Sequence, residues 1–294
     1  MKRFTKRIKF KVWSLVLAFC LVWSPPAQAQ VVMNVNQQRS ETLEQLLQTL
    51  AKARVVYLGE IHDRAEDHQI QLVIIQALHQ ANPKLVIGME MFQKPCQSVL
   101  DRYLAGEISE AELREQSEYD TRWGHPWEYY APILRFARDQ GLPVVALNTP
   151  TEVTRQVARN GLESLTPADQ RWIPPLAEIR TDNSEYRQWV QEVYLGIAQH
   201  QMSSRGFDRF FQAQVLWDET MAEGITQIVK QKPDRQIIVL AGQMHIAYGY
   251  GIPDRVARRM GVRLIQQRLV LINPPEESRQ SSSRSIADYL WISD

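Results

Sequence analysis

The sequence is poor in cysteine: its 294 residues carry two, Cys20 and Cys96. With the first 29 residues set aside only Cys96 remains, which excludes an internal disulfide and leaves stability to a packed core. A membrane-spanning run is lacking too. The apolar stretch at residues 12–23 falls short of the roughly 20 residues that a helix needs to cross a bilayer. Net charge is almost absent at +1, and no internal repeat is visible.

What is present begins with the N-terminus. Six basic residues among the first eleven precede the apolar stretch, and Ala27-Gln28-Ala29 closes it. Basic, apolar and small-residue regions in that order predict a cleavable signal peptide at 1–29, a mature chain from Gln30, and a periplasmic or otherwise extracytoplasmic location. Phe19 stands where a lipoprotein signal takes a small residue before its cysteine, which argues against a lipid anchor at Cys20. Loss of this segment leaves 28 basic against 33 acidic residues, a formal charge of −5. Neither nucleic acid nor an anionic lipid surface is an expected partner, and the mature chain is expected to hold no integral membrane segment.

Apolar runs rich in valine and isoleucine recur at 55–60, 84–91, 143–148 and 236–242, with helical patterns between them. Continuous apolar runs suit strands covered on both faces, and strands alternating with helices imply a parallel sheet. Residues 262–272 are expected to add an edge strand. Ile70, Val73, Ile74, Ala77, Leu78 and Ala81 fall at helical spacing before Asn82-Pro83, giving a β-α-β unit. Ser109 and Glu112 have capping-box spacing, a helix at 128–140 ends before Gly141, and Thr166-Pro167-Ala168-Asp169 reads as a helix start. Residues 207–230 form a long amphipathic stretch.

The fold expected is α/β, a parallel sheet flanked by helices with a smaller all-helical subdomain inserted. One domain at 30–272 would carry that subdomain at about 93–140 and 152–232, where five of the six tryptophans beyond residue 29 would pack it. Residues 273–285 are polar and rich in proline and serine, so 273–294 reads as a flexible linker and C-terminal tail.

Parallel strands deliver the residues after their C-terminal ends to one rim. The first run ends in VVYLGEIHD, bringing Glu60, His62 and Asp63 there; the next three bring Glu90, Asn148 and His245. Gly59 and Gly242 each precede a histidine by three positions and would permit a sharp turn. Gln214, Asp218 and Met221 lie at i, i+4 and i+7 on the long helix, a line that either faces the rim or leaves Asp218 as a surface acid. Paired imidazoles and carboxylates suit acid-base work or a divalent metal on Glu60, His62, Glu90 and His245. His68 and His79 are expected in solvent; His125 and His200 have no assigned role.

LGEIHD at 58–63, GMEMF at 88–92, AQVLWDETMA at 213–222 and AGQMHIAYGYGIPDRV at 241–256 resemble the ChaN family of haem-binding uptake proteins, a branch of the Tiki and erythromycin-esterase-like superfamily. The four motifs span about 200 residues and agree in order and type. The resemblance implies a parallel sheet with a small helical domain, haem as cofactor, a homodimer holding stacked haems, and a tyrosine as iron ligand. Tyr248 and Tyr250 are the candidates for that ligand, with His245 and Met221 beside them. The other branches of the superfamily imply an alternative: hydrolysis of a peptide or ester by Glu60, His62, Glu90 and His245, with or without a metal.

Overall fold

The computed structural model describes residues 30–197, 204–261, 265–279 and 284–293. The expected signal peptide and His200 lie outside these residues. Eight strands form one sheet: β1 (Gln30–Asn34), β2 (Arg39–Glu41), β3 (Val55–Glu60), β4 (Leu85–Gln93), β5 (Val144–Asn148), β6 (Gln236–Gly242), β7 (Gln267–Ile272) and β8 (Tyr289–Ser293). Their spatial order is β2-β1-β8-β7-β3-β6-β4-β5. The six from β8 to β5 run parallel, and β1 and β2 close one side antiparallel. The predicted α/β architecture is therefore present, and β6 is the strand that separates β3 from β4.

Every residue of β3, β4 and β6 is buried, which explains why these runs show no polar alternation. On one face Val56, Leu58, Ile87, Met89 and Leu240 pack against the helices Ala65–Ala81, Gln97–Leu104 and Trp127–Asp139. On the other, Val55, Tyr57, Val86 and Val239 meet Met221 and Ile225 of the helix Ser204–Gln231 and Val256 of Ile252–Met260. Burying two apolar faces at ~25 cal/mol per Å² is what holds this cysteine-poor chain together.

The capping box at Ser109 forms as its spacing predicts: Ser109 N–H donates to Glu112 Oε2 at 2.7 Å and Glu112 N–H to Ser109 Oγ at 3.2 Å. Other expectations need correction. Asp169 accepts from both the N–H and the hydroxyl of Thr166, at 2.8 and 2.6 Å, and the segment makes only a 3-10 turn, Asp169–Trp172. β7 is an inner strand, not an edge, because β8 pairs along its outer side. Residues 289–293, expected as part of a tail, are that strand; Trp291 is 1% exposed. A single apolar segment after a polar stretch reads as a tail until its pairing partner is known.

The helical subdomain also divides differently. Helices within 97–139 belong to the core of the first sheet face. Those at Thr151–Asn160 and Ser184–Ile197, with the early turns of Ser204–Gln231, share a separate core around Val157, Tyr186, Val190, Phe207 and Phe211.

Candidate functional site

β6 lies between β3 and β4, so their C-terminal ends place Gly242 one strand spacing from Glu60 and beside Glu90, with the two glutamates on either side of it. His62 follows β3, and His245 closes the 3-10 turn Gln243–His245 after β6. Asn148 at the end of β5 donates from Nδ2 to the Glu90 carbonyl at 2.9 Å. Glu60, His62, Glu90, Asn148 and His245, expected from four separate strands, thus meet at one place.

They meet as two carboxylate-imidazole groups. In the first, Glu60 is 1% exposed and accepts from His62 Nδ1 at 2.9 Å, Tyr130 OH at 2.5 Å and Gln71 Nε2 at 2.7 Å. His68 Nδ1 lies 3.2 Å from Glu60 Oε2, within ion-pair range though not aligned as a hydrogen bond, while its Nε2 faces the His62 carbonyl at 3.2 Å. Burial pushes the Glu60 carboxyl up, but His62 and His68 together outweigh it and hold the group at about 2. His62 answers in the opposite sense. Burial lowers its imidazole, yet Glu60 and Glu90 raise it above its ordinary value.

In the second, His245 sits between two acids, Nδ1 at 2.7 Å from Asp218 Oδ1 and Nε2 at 3.2 Å from Glu90 Oε1. Gln214 Nε2 lies 3.1 Å from the same Nδ1, Tyr186 OH donates to Asp218 Oδ2 at 2.6 Å, and Gly242 N–H donates to Glu90 Oε2 at 2.7 Å. Burial disfavours the imidazolium, but Glu90 and Asp218 outweigh it and hold His245 at about 10. It is a cation at neutral pH. Glu90 is held below the usual carboxylate range: burial raises it, and His245 more than reverses that.

Gly59 and Gly242 do not serve the sharp turn expected of them. Neither has a positive φ, and Gly242 is at φ −60°, ψ 148°. Gly242 supplies space instead: a Cβ there would stand 2.7 Å from His62 Nε2.

Above the rim lies a cavity of about 830 Å³. Glu60, His62, Glu90, Asn148, Gln214 and His245 are on its wall, joined by Trp123, His125, Phe210 and Trp217, with Arg122 and Arg155 beside them. Asp218 stands behind His245. Four expected site residues are elsewhere. Asp63 is exposed. Met221 is fully buried under the sheet, and Tyr248 packs edge-on to Trp189. Tyr250 is 9% exposed and donates from its phenol to Glu185 at 3.0 Å. The metal expected on Glu60, His62, Glu90 and His245 also finds no cradle: among the described residues no three His, Cys, Asp or Glu side chains are disposed to hold an ion. His62 Nδ1 and both nitrogens of His245 are already turned to carboxylates.

His68, expected in solvent, is 2% exposed. Asp67, His68 and Gln71 continue the stripe of Ile74, Ile75 and Leu78 toward the N-terminus of their helix. Extending that stripe by one turn finds two Glu60 partners. Tyr130, Trp123 and His125 arrive on and before the helix Trp127–Asp139, and only their tertiary placement reveals them.

The profile of the family described as "Haem-binding uptake, Tiki superfamily, ChaN" matches residues 46–256. The chain belongs to the ChaN family. A solved ChaN of Campylobacter jejuni, described for its cofacial heme binding, superposes with a TM-score of 0.72 at 18% identity, over 90% of this chain and 97% of that one. That likeness establishes the ChaN fold. Protein RETICULATA-RELATED 5, chloroplastic, of Arabidopsis thaliana is 26% identical over 89% of this chain. The chain spans only 36% of that relative's length. An erythromycin esterase, EreC, is more distant, with a TM-score of 0.48 at 17% identity over 90% of this chain and 83% of that one.

Proposed function

We propose that the chain binds haem in the cavity above the sheet rim and serves, as an exported protein, in haem or iron uptake. One observation carries the reading: a cavity of about 830 Å³ has the rings of Trp123, Phe210 and Trp217 on its walls and Arg122 and Arg155 beside them. A porphyrin is a flat apolar plate with two carboxylates on one edge, so aromatic walls and guanidinium groups fit it. Arg155 is exposed and forms no ion pair with a described residue. Arg122 is shared between Glu118 at 2.6 Å and Glu152 at 3.0 Å. Bound haem would supply a ligand-binding, redox-active iron; the chain's part is to hold, orient and shield it. Tyr248 and Tyr250 do not line this cavity, and haem held there leaves them out of its first contacts.

The composition of residues 1–29 supports export. A homodimer that brings two haems face to face is the assembly this reading expects, in keeping with the cofacial binding named for the Campylobacter jejuni protein. The test is titration of the purified protein with hemin. A saturable Soret band is expected, together with hemin-dependent dimerisation in sedimentation; a spectrum no different from free hemin refutes the reading.

A second reading rests on the two carboxylate-imidazole groups. His62, oriented by Glu60 through Nδ1, is placed to take a proton from water in the cavity, on the same wall as His245, whose two nitrogens are turned to Asp218 and Glu90. That is the chemistry of ester or amide hydrolysis. Turnover of an ester or peptide panel, abolished by His62→Ala and Glu60→Ala, is its test; a panel left intact by the wild type excludes it.

A further inference from the structure

A second cleft, of about 440 Å³, opens beside the helix Leu43–Leu50. Arg268, the second residue of β7, and Tyr289, the first of β8, line it, so it lies at the end of the sheet away from the rim. The helix turns Gln45, Gln48 and Thr49 toward it, spaced i, i+3 and i+4, and the β1–β2 hairpin adds Asn34, Gln37 and Glu41. Every side chain on its wall carries a polar atom. An apolar ligand finds no surface there.

Of the charged groups in the cleft, three are committed. Arg39 pairs with Glu41 at 3.2 Å, and Asp288 accepts from the Leu269 N–H at 2.9 Å and from Asn36 Nδ2 at 3.3 Å. Arg268 is the exception. It is half-buried, its Nη1 donates to the Gln267 carbonyl at 2.7 Å, and among the described residues no carboxylate pairs with it and nothing takes up Nε or Nη2. A guanidinium partly withdrawn from water without a counter-ion is costly, and its free Nε–Nη2 edge is the one that takes both oxygens of a carboxylate. Hydrogen-bonding capacity around it is unspent as well. Gln45 uses its Oε1 on the Thr42 N–H and Gln48 its Nε2 on Glu44, which leaves Gln45 Nε2, Gln48 Oε1, the Gln37 amide and the Thr49 hydroxyl without partners among the described residues. Donors and acceptors interleaved in this way match a row of hydroxyls, each of which both gives and accepts. A phosphate dianion fits less well, because it would set more negative charge beside Glu41 and Asp288 than one guanidinium offsets.

We propose that this cleft binds a sugar acid, with its carboxylate on Arg268 and its hydroxyls among Gln37, Gln45, Gln48 and Thr49. The experiment titrates the purified wild type, Arg268→Gln and Thr49→Val with glucuronate, galacturonate, glucose and inorganic phosphate by isothermal calorimetry, with far-UV circular dichroism to confirm folding. At least one uronate is expected to saturate the wild type, with glucose and phosphate bound about tenfold or more weakly; Arg268→Gln should weaken the uronate about tenfold or more and Thr49→Val about fivefold. Thr49→Val changes a half-buried side chain to one of the same shape, so it decides the matter even if Arg268→Gln does not fold. Failure of both uronates to saturate the wild type overturns the inference, as does glucose or phosphate bound as tightly as the uronates. Uronate affinity unchanged in either folded variant overturns it too, by placing the sugar elsewhere.

Discussion

Glu60 is the residue whose removal is easiest to follow through the structure. Its buried carboxylate takes donors from His62, Tyr130 and Gln71 at 2.5 to 2.9 Å. Glu60→Ala leaves those donors facing a void. One unsatisfied buried donor costs ~1–3 kcal/mol, the three do not add independently, and breaking a buried pair from one side costs roughly 3–5 kcal/mol. At about 2–4 °C per kcal/mol for a chain of this size, the melting temperature should fall by about 6–20 °C. Glu60→Gln keeps the shape and one acceptor, so its loss is smaller. The sign of its pH dependence is also fixed. A carboxyl held at about 2 in the fold against an ordinary 4.5 contributes stability that is present above pH 4.5 and lost as pH falls toward 2. That displacement corresponds to roughly 3 kcal/mol. Urea unfolding of wild type and Glu60→Gln at pH 7, 5 and 3 should show a gap that narrows with acid. A gap that is zero at pH 7, or constant across the series, refutes the account of Glu60 as an ionised hub.

His245, held at about 10, contributes stability that is complete below pH 6.5 and lost as pH rises through 10; urea midpoints of the wild type should drop across that window by an amount worth a few kcal/mol, and His245→Gln should show no such drop. Gly242→Ala should displace the His62 ring, because its Cβ would sit 2.7 Å from Nε2, at a cost of ~1–3 kcal/mol; an unmoved His62 resonance in NMR spectra counts against the close approach. Trp291→Ala, at a residue 1% exposed, should cost about 3–5 kcal/mol by denaturant titration, whereas a true tail would lose nothing.

The parallel centre of the sheet was legible because β3, β4 and β6 are covered on both faces and therefore read as unbroken apolar runs. Strand direction implied that Glu60, His62, Glu90, Asn148 and His245 would share a rim with Asp63, which is exposed instead, and helical spacing offered Gln214 and Asp218, which reach His245 from the long helix. The strands on the β2 side of the sheet were not legible as such. β2 has three residues and β8 five, and each becomes a strand only through its neighbours. The same limit applied at the site. His68 sits on a helix whose buried stripe turns polar at its first turn, so a rule that equates polar with solvated misplaces it. Trp123 and His125 precede a helix and carry no periodicity that would announce a wall. Tyr248 and Tyr250 were chosen for nearness in sequence to His245, but Tyr248, at φ 58°, turns the chain away and the two rings pack with Trp189 and Tyr186 instead.

β8 lies between β7 and β1, joining Gln30 to Ser293 across almost the whole described chain. Zipping up from either end is thereby forbidden. The β1–β2 hairpin, alone, is a marginal two-stranded unit, and it has nowhere to dock until the last strand has been made and laid down. Closure of so long a loop is entropically late and slow, so a nascent chain would expose the outer side of β7 to any other passing strand. A stop codon before Tyr289 would make that exposure permanent, turning an inner strand into a sticky border.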